Sequence, residues 1–155
     1  MNVKKGSLGN LAVFEAIHDI VAEAIVGESQ NTIELIKAAR RRVLIEFAPD
    51  PDIILREKIG EDVYRNVIAI EVKGGTDYSN IHNRIGEAEK SHQKAKAQGY
   101  VECWTIINVP NLDREVAKKE SPSTNRFYAL GAIVEKEGSE YEDFRSRVIS
   151  LAGIA

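Results

Sequence analysis

An α/β fold is predicted for this chain by three features of its sequence: apolar residues at helical spacing near both ends, β-branched and aromatic runs between them, and Gly, Pro and Asn at the boundaries. Leu11, Phe14, Ile17, Val21 and Ile25 recur at helical spacing and predict a first helix over 8–26, ended by Gly27. Asn31 or Thr32 is placed to cap a second, shorter helix through about residue 40, with Glu34 in its first turn, and a basic run follows over 40–42. The run 43–47 reads as a strand, and Pro49-Asp50-Pro51 interrupts it before a further apolar stretch over 53–55. The polar segment 58–62, with its Gly60, suits a hairpin connection to a longer strand over 64–73. Gly74 and Gly75 close that strand. Ser79 or Asn80 can cap a long helix to about residue 98, which Gly99 stops.

The run 101–109 has the β-branched and aromatic content of a buried strand and ends at Pro110. A short helix over 111–120, a loop over 121–125, a last strand over 127–134 and an amphipathic helix over 139–151 complete the chain. That helix carries Tyr141, Phe144, Val148 and Leu151 on one face. The predicted order is α-α-β-β-β-α-β-α-β-α. No repeat, low-complexity segment or linker interrupts it, so the 155 residues are expected to form a single domain.

A hydrophobic content of 43% with 29% charged residues is that of a globular protein with a proper core. No apolar run approaches the roughly 18 residues that span a bilayer, and the N-terminus lacks the apolar core of a signal peptide. A soluble, unprocessed, cytoplasmic protein with no membrane partner is the expectation. The single Cys103 excludes an intrachain disulfide framework and a Cys-rich zinc site. The net charge of −3 gives no global basic signature for nucleic-acid binding, so that function must be argued from a site.

The site candidate is the pair Pro51-Asp52 and Ile70-Glu71-Val72-Lys73. Eighteen residues separate Asp52 from Glu71, about what a hairpin needs to set two strands side by side. Side chains alternate along a strand, so Glu71 and Lys73 share one face while Ile68, Ile70 and Val72 turn the other way into a core. Phosphodiester hydrolysis needs an activated water beside an anionic phosphorus, and an oxygen-liganded Mg2+ lowers that water's pKa and neutralises charge. Asp52 and Glu71 supply the carboxylates for such a metal, and Lys73 can orient or deprotonate the water or balance charge in the transition state. Asp50 is the other candidate for the first carboxylate; Asp52 is preferred because it directly precedes the apolar run 53–55. The alternative is a turn aspartate and a solvated strand end.

These residues and the order of elements around them resemble the PD-(D/E)XK nuclease superfamily over roughly 8–109. The resemblance implies a restriction-endonuclease-like core, a mixed central sheet flanked by helices, with 110–155 as an extension of a nuclease domain spanning 1–155. Within the superfamily, the run 71–84, from Glu71-Val72-Lys73-Gly74-Gly75 to His82-Asn83-Arg84, with its continuation over 86–96, looks like XcyI-type type II restriction endonucleases. Those enzymes cut short palindromic duplex DNA as dimers. The chain is short for such an enzyme. The resemblance therefore implies Mg2+, with Mn2+ as a substitute, double-stranded DNA as substrate and a homodimer whose two-fold axis relates the two cuts. The first or the last helix is the expected interface.

Asn80, His82, Asn83 and Arg84 open the helix that follows the site, and Lys90 and Lys94 lie further along it, so all are candidates to hold DNA phosphates; the bland reading is a solvated helix face. The superfamily often places a Gln or Lys of this helix near the site, which adds Gln93 to Lys94. Some members complete the metal site with a first-helix glutamate, here Glu15, although Glu15, Asp19 and Glu23 also read as an acidic solvent-facing stripe. His92 lies in line with the apolar stripe of the long helix and reads as a hydrogen-bonded structural residue, Cys103 as a packed thiol. A junction resolvase or repair nuclease, or an inactive DNA-binding or assembly domain, are the rival functions for the same fold.

Overall fold

The computed structural model describes residues 5–48, 50–75 and 80–154. Pro49, Ser79 as one of the expected caps, and residues 76–78 lie outside them. Helix α1 (Lys5–Val21) and a single 3₁₀ turn (Ala22–Ala24) lead into strands β1 (Ile25–Glu28), β2 (Thr32–Ile36), β3 (Arg42–Phe47), β4 (Ile53–Gly60) and β5 (Val63–Lys73). Helix α2 (Ile81–Ala97) crosses to β6 (Glu102–Ile107), and α3 (Arg114–Glu120) crosses to β7 (Arg126–Ala129). Helices α4 (Leu130–Glu135) and α5 (Ser139–Ala152) follow.

The seven strands lie in one sheet in sequence order, antiparallel from β1 to β5 and parallel from β5 to β7. Hairpins build the antiparallel part; the helical crossovers α2 and α3 build the parallel part. Helices α1, α4 and α5 cover one face, where Val13, Ile17, Ile45, Ile68, Trp104 and Phe144 pack into the main core. Helices α2 and α3 cover the other, over Ala69, Cys103, Ile107 and Phe127. Trp104 meets Tyr128 and Phe144 edge-on, each at 5.8 Å between ring centres. Among the described residues no helix is long and apolar enough to cross a membrane.

Four expectations are corrected. The second helix over 31–40 does not form: Ile33 and Leu35 are buried while Thr32, Glu34 and Ile36 are only half-buried, a period of two that pairs Ile33 with Ile45 and Leu35 with Val43. The first helix stops at Val21 rather than Val26, because Ile25 and its successors pair with β2 as an edge strand. The last strand ends at Ala129, and Leu130 and Ile133, three residues apart, turn into the core as one face of α4. The hairpin connection also shrinks to residues 61–62, with Asp62 at φ 56°.

Candidate active site

β4 and β5 place the first two site residues. Ile53 pairs with Ile70, and just beyond that pair Asp52 Oδ2 accepts a 2.8 Å hydrogen bond from the Val72 N–H. The aspartate side chain thus occupies the next rung of the ladder, which fixes it beside Glu71. The alternation along β5 is the one expected: Ile68, Ile70 and Val72 join the main core, and Glu71 and Lys73 lie on the opposite face, under α2.

Glu71 is 3% exposed, and its carboxyl hydrogen-bonds that of Asp52. Burial and then the neighbouring Asp52 carboxylate push the Glu71 pKa well above the usual carboxylate range; the Ser91 hydroxyl and the Lys73 charge oppose this without reversing it. Lys73, with its side chain 20% exposed, holds its Nζ 3.6 Å from Glu87 Oε2.

Helix α2 roofs this corner with one stripe of side chains. Arg84 donates to the Gly75 carbonyl at 2.7 Å, Glu87 pairs with Lys73, Ser91 hydrogen-bonds Glu71, and Lys94 Nζ lies 3.9 Å from Asp50 Oδ2. The spacing 84, 87, 91, 94 is one helical face. Asp50, the rival first carboxylate, is therefore directed to Lys94, and Asp52 is the one the sheet brings to Glu71.

The other expected contacts disperse. His82 pairs with Glu120 at the end of α3, Gln93 donates to Glu89 Oε2 at 2.7 Å, and Asn80, Asn83 and Lys90 are exposed. Glu15 is exposed on α1, where its charge acts on Lys136, the ion-pair partner of Asp19. It is not gathered with Asp52 and Glu71, and among the described residues no cluster of three or more acidic, His or Cys side chains is poised to hold a metal. His92 is fully buried and hydrogen-bonded to Thr105 at 2.8 Å; burial holds it neutral, with a pKa lowered to about 4. The buried Cys103 thiol is pushed up to about 11, as befits a packed, unreactive side chain. Sequence reasoning missed Glu87 and Ser91, although their helical register with Arg84 and Lys94 was a signal that could have found them.

A mixed sheet between two helical layers, with its acidic pair and lysine where an antiparallel meander passes into a parallel crossover, is a restriction-endonuclease-like fold. The chain belongs to the XcyI restriction endonuclease family, which matches it over residues 1–155. It is 60% identical over 154 residues to a type II restriction enzyme, Cfr9I, of Citrobacter freundii, covering 99% of this chain and 47% of that protein. It is 58% identical over 153 residues to the type II restriction enzyme XcyI of Xanthomonas campestris pv. cyanopsidis, covering 99% of this chain and 46% of that one. The chain thus spans about half the length of the curated relatives it matches. No solved structure matches it.

Proposed function

We propose that this chain is the nuclease domain of a type II restriction endonuclease that hydrolyses duplex DNA with Mg2+ or Mn2+, with Asp52, Glu71 and Lys73 as its catalytic residues. The single observation that carries this is the buried Glu71 carboxyl against Asp52, with Lys73 on the same strand face. Glu71, buried against the half-buried Asp52 carboxyl, retains its proton until a cation replaces it, and two such oxygen donors are what a hard divalent ion requires. A magnesium ion bound by one or two carboxylates keeps most of its waters, so the pair Asp52 and Glu71 is a donor set that suits it.

When bound, the metal supplies Lewis-acid stabilisation of the phosphate and a water of lowered pKa. Asp52 and Glu71 hold it, and the Val72 amide keeps Asp52 aimed. Lys73 leaves its ion pair with the exposed Glu87 to meet the scissile phosphate or the attacking water. Arg84 and Lys94, on the α2 stripe that faces the site, are the side chains nearest to hand for DNA phosphates, ahead of Asn80, His82, Asn83, Lys90 and Gln93. Residues 1–155 form one such domain in this reading, in the cytoplasm where duplex DNA is met. A homodimer, one site per strand, follows from symmetric cleavage, and its interface draws on the polar outer faces of α1 or α5, whose apolar faces are used in the core.

Incubation of the purified chain with unmethylated plasmid and phage DNA plus Mg2+ tests the reading. Discrete fragments are expected, lost with a chelator and reduced at least about a hundredfold in Lys73→Ala. Cleavage that survives in Lys73→Ala sinks the site, and intact DNA shifts the reading to a missing recognition region or to a non-catalytic binding domain. Selective cutting of branched DNA would transfer the site to a junction resolvase.

A further inference from the structure

Beneath α2, on the side away from its site-facing stripe, runs a chain of buried polar groups from Glu89 to His92. Ser121 Oγ donates to Glu89 Oε1 at 2.9 Å, Ser121 Oγ meets Thr124 Oγ1 at 2.8 Å, Thr124 Oγ1 meets Thr105 Oγ1 at 2.9 Å, and Thr105 Oγ1 meets His92 Nε2 at 2.8 Å. These four contacts share three hydroxyl hydrogens, so the fourth hydrogen must come from one end. Glu89 cannot supply it. Its two oxygens also accept from the Ser123 N–H at 2.8 Å, the Ser123 hydroxyl at 2.8 Å and the Gln93 amide at 2.7 Å, so they face donors throughout and stay ionised. The hydrogen therefore comes from His92, as Nε2–H, which leaves Nδ1 bare; that buried atom makes no hydrogen bond of good geometry among the described residues, and the Trp104 carbonyl lies within reach of the ring as the acceptor an Nδ1–H would need.

Thr105 is the β6 residue opposite Glu71 in the parallel ladder, and Ser91 adjoins His92 on α2. We propose that Glu89 is a positioning residue of the Asp52–Glu71–Lys73 site: its carboxylate orients the hydroxyl chain, fixes His92 as the Nε2–H tautomer and locks α2 onto the 121–124 loop, so that Ser91 and Glu87 meet Glu71 and Lys73. The role in catalysis rests on the nuclease reading above; the control of His92 does not.

The test reads both. Nitrogen-15 spectra of histidine-labelled protein should show wild-type His92 as Nε2–H alone. In Ser121→Ala, Thr124 loses its acceptor and turns to Thr105, Thr105 donates to His92, and the Nδ1–H form appears. Glu89→Met should behave alike, and Ser121→Ala, the milder change, decides the matter if Glu89→Met does not fold. Each variant should lower kcat by about tenfold or more with KM for DNA nearly unchanged, and the losses should not add in the double variant. A wild-type Nδ1–H tautomer, or a Ser121→Ala protein that keeps pure Nε2–H, overturns Glu89's control of the chain. Tautomer release with unchanged kcat overturns the positioning role. A wild-type chain that cuts no DNA counts against the nuclease reading instead, and the His92 spectra still decide whether Glu89 orients the chain.

Discussion

Glu71 sits where a carboxylate is least comfortable: buried, on a strand, and against a second carboxyl. The folded state therefore holds its proton more tightly than the unfolded chain, so the metal-free protein loses stability as pH rises above the ordinary glutamate range of about 4.5. Glu71→Gln removes that dependence and should stabilise the metal-free protein by about 1–3 kcal/mol at pH 7 and above, measured as melting temperature against pH. A variant whose pH profile matches wild type would show that Glu71 ionises normally. Glu57 has the opposite sign. Burial alone would raise its pKa, but hydrogen bonds from Lys37, Arg41 and Arg65 hold it at about 2. Its stabilisation is present at neutral pH and fades as pH falls from about 4.5 toward 2. Glu57→Gln should be less stable by about 1–3 kcal/mol at pH 7, with the gap closing in acid.

At the scale of elements, the site depends on how closely α1 approaches the end of β5. A Cβ at Gly9 would lie 3.3 Å from Gly74 Cα and 3.3 Å from Val72 Cγ1, directly behind the strand end that carries Glu71 and Lys73. Gly9→Val should push the helix outward and destabilise by about 1–3 kcal/mol, with a larger fractional loss of activity than of folded protein. Denaturant midpoints with circular dichroism check the first; an unchanged midpoint would mean that α1 has slack against β5. Most elements were legible in the sequence, since β3, β5, β6, α2 and α5 each carry a strong period and a boundary residue. The hairpin of β1 and β2 was not. Its five-residue β2 is too short for a period of two to outweigh the cap-like Asn31 and Thr32, and only pairing with β3 decides it.

For the whole molecule, Phe144 of α5 packs on Trp104 and Tyr128, so residues from the C-terminal third complete the same core that carries β5. Phe144→Ala should lower stability by about 3–5 kcal/mol and move a single unfolding transition rather than split off a separate one. Two transitions by calorimetry would mean that the 110–155 segment folds independently of the 8–109 core.

The sequence by itself determined the α/β class, the strand that carries Glu71 and Lys73, and the helix that follows it. Those are local facts, written in spacing three or four residues apart on a helix and two apart on a strand. Only the tertiary structure decided which aspartate meets Glu71, that Glu87 and Ser91 face the site while Glu89 and Gln93 turn away, that Glu15 stands apart on α1, and that residues 25–36 form a hairpin. Each of those outcomes is set by strand register and by the rotation of a helix on the sheet, quantities that depend on partners beyond the local period, as with the 2.8 Å bond from the Val72 amide to Asp52, 20 residues away.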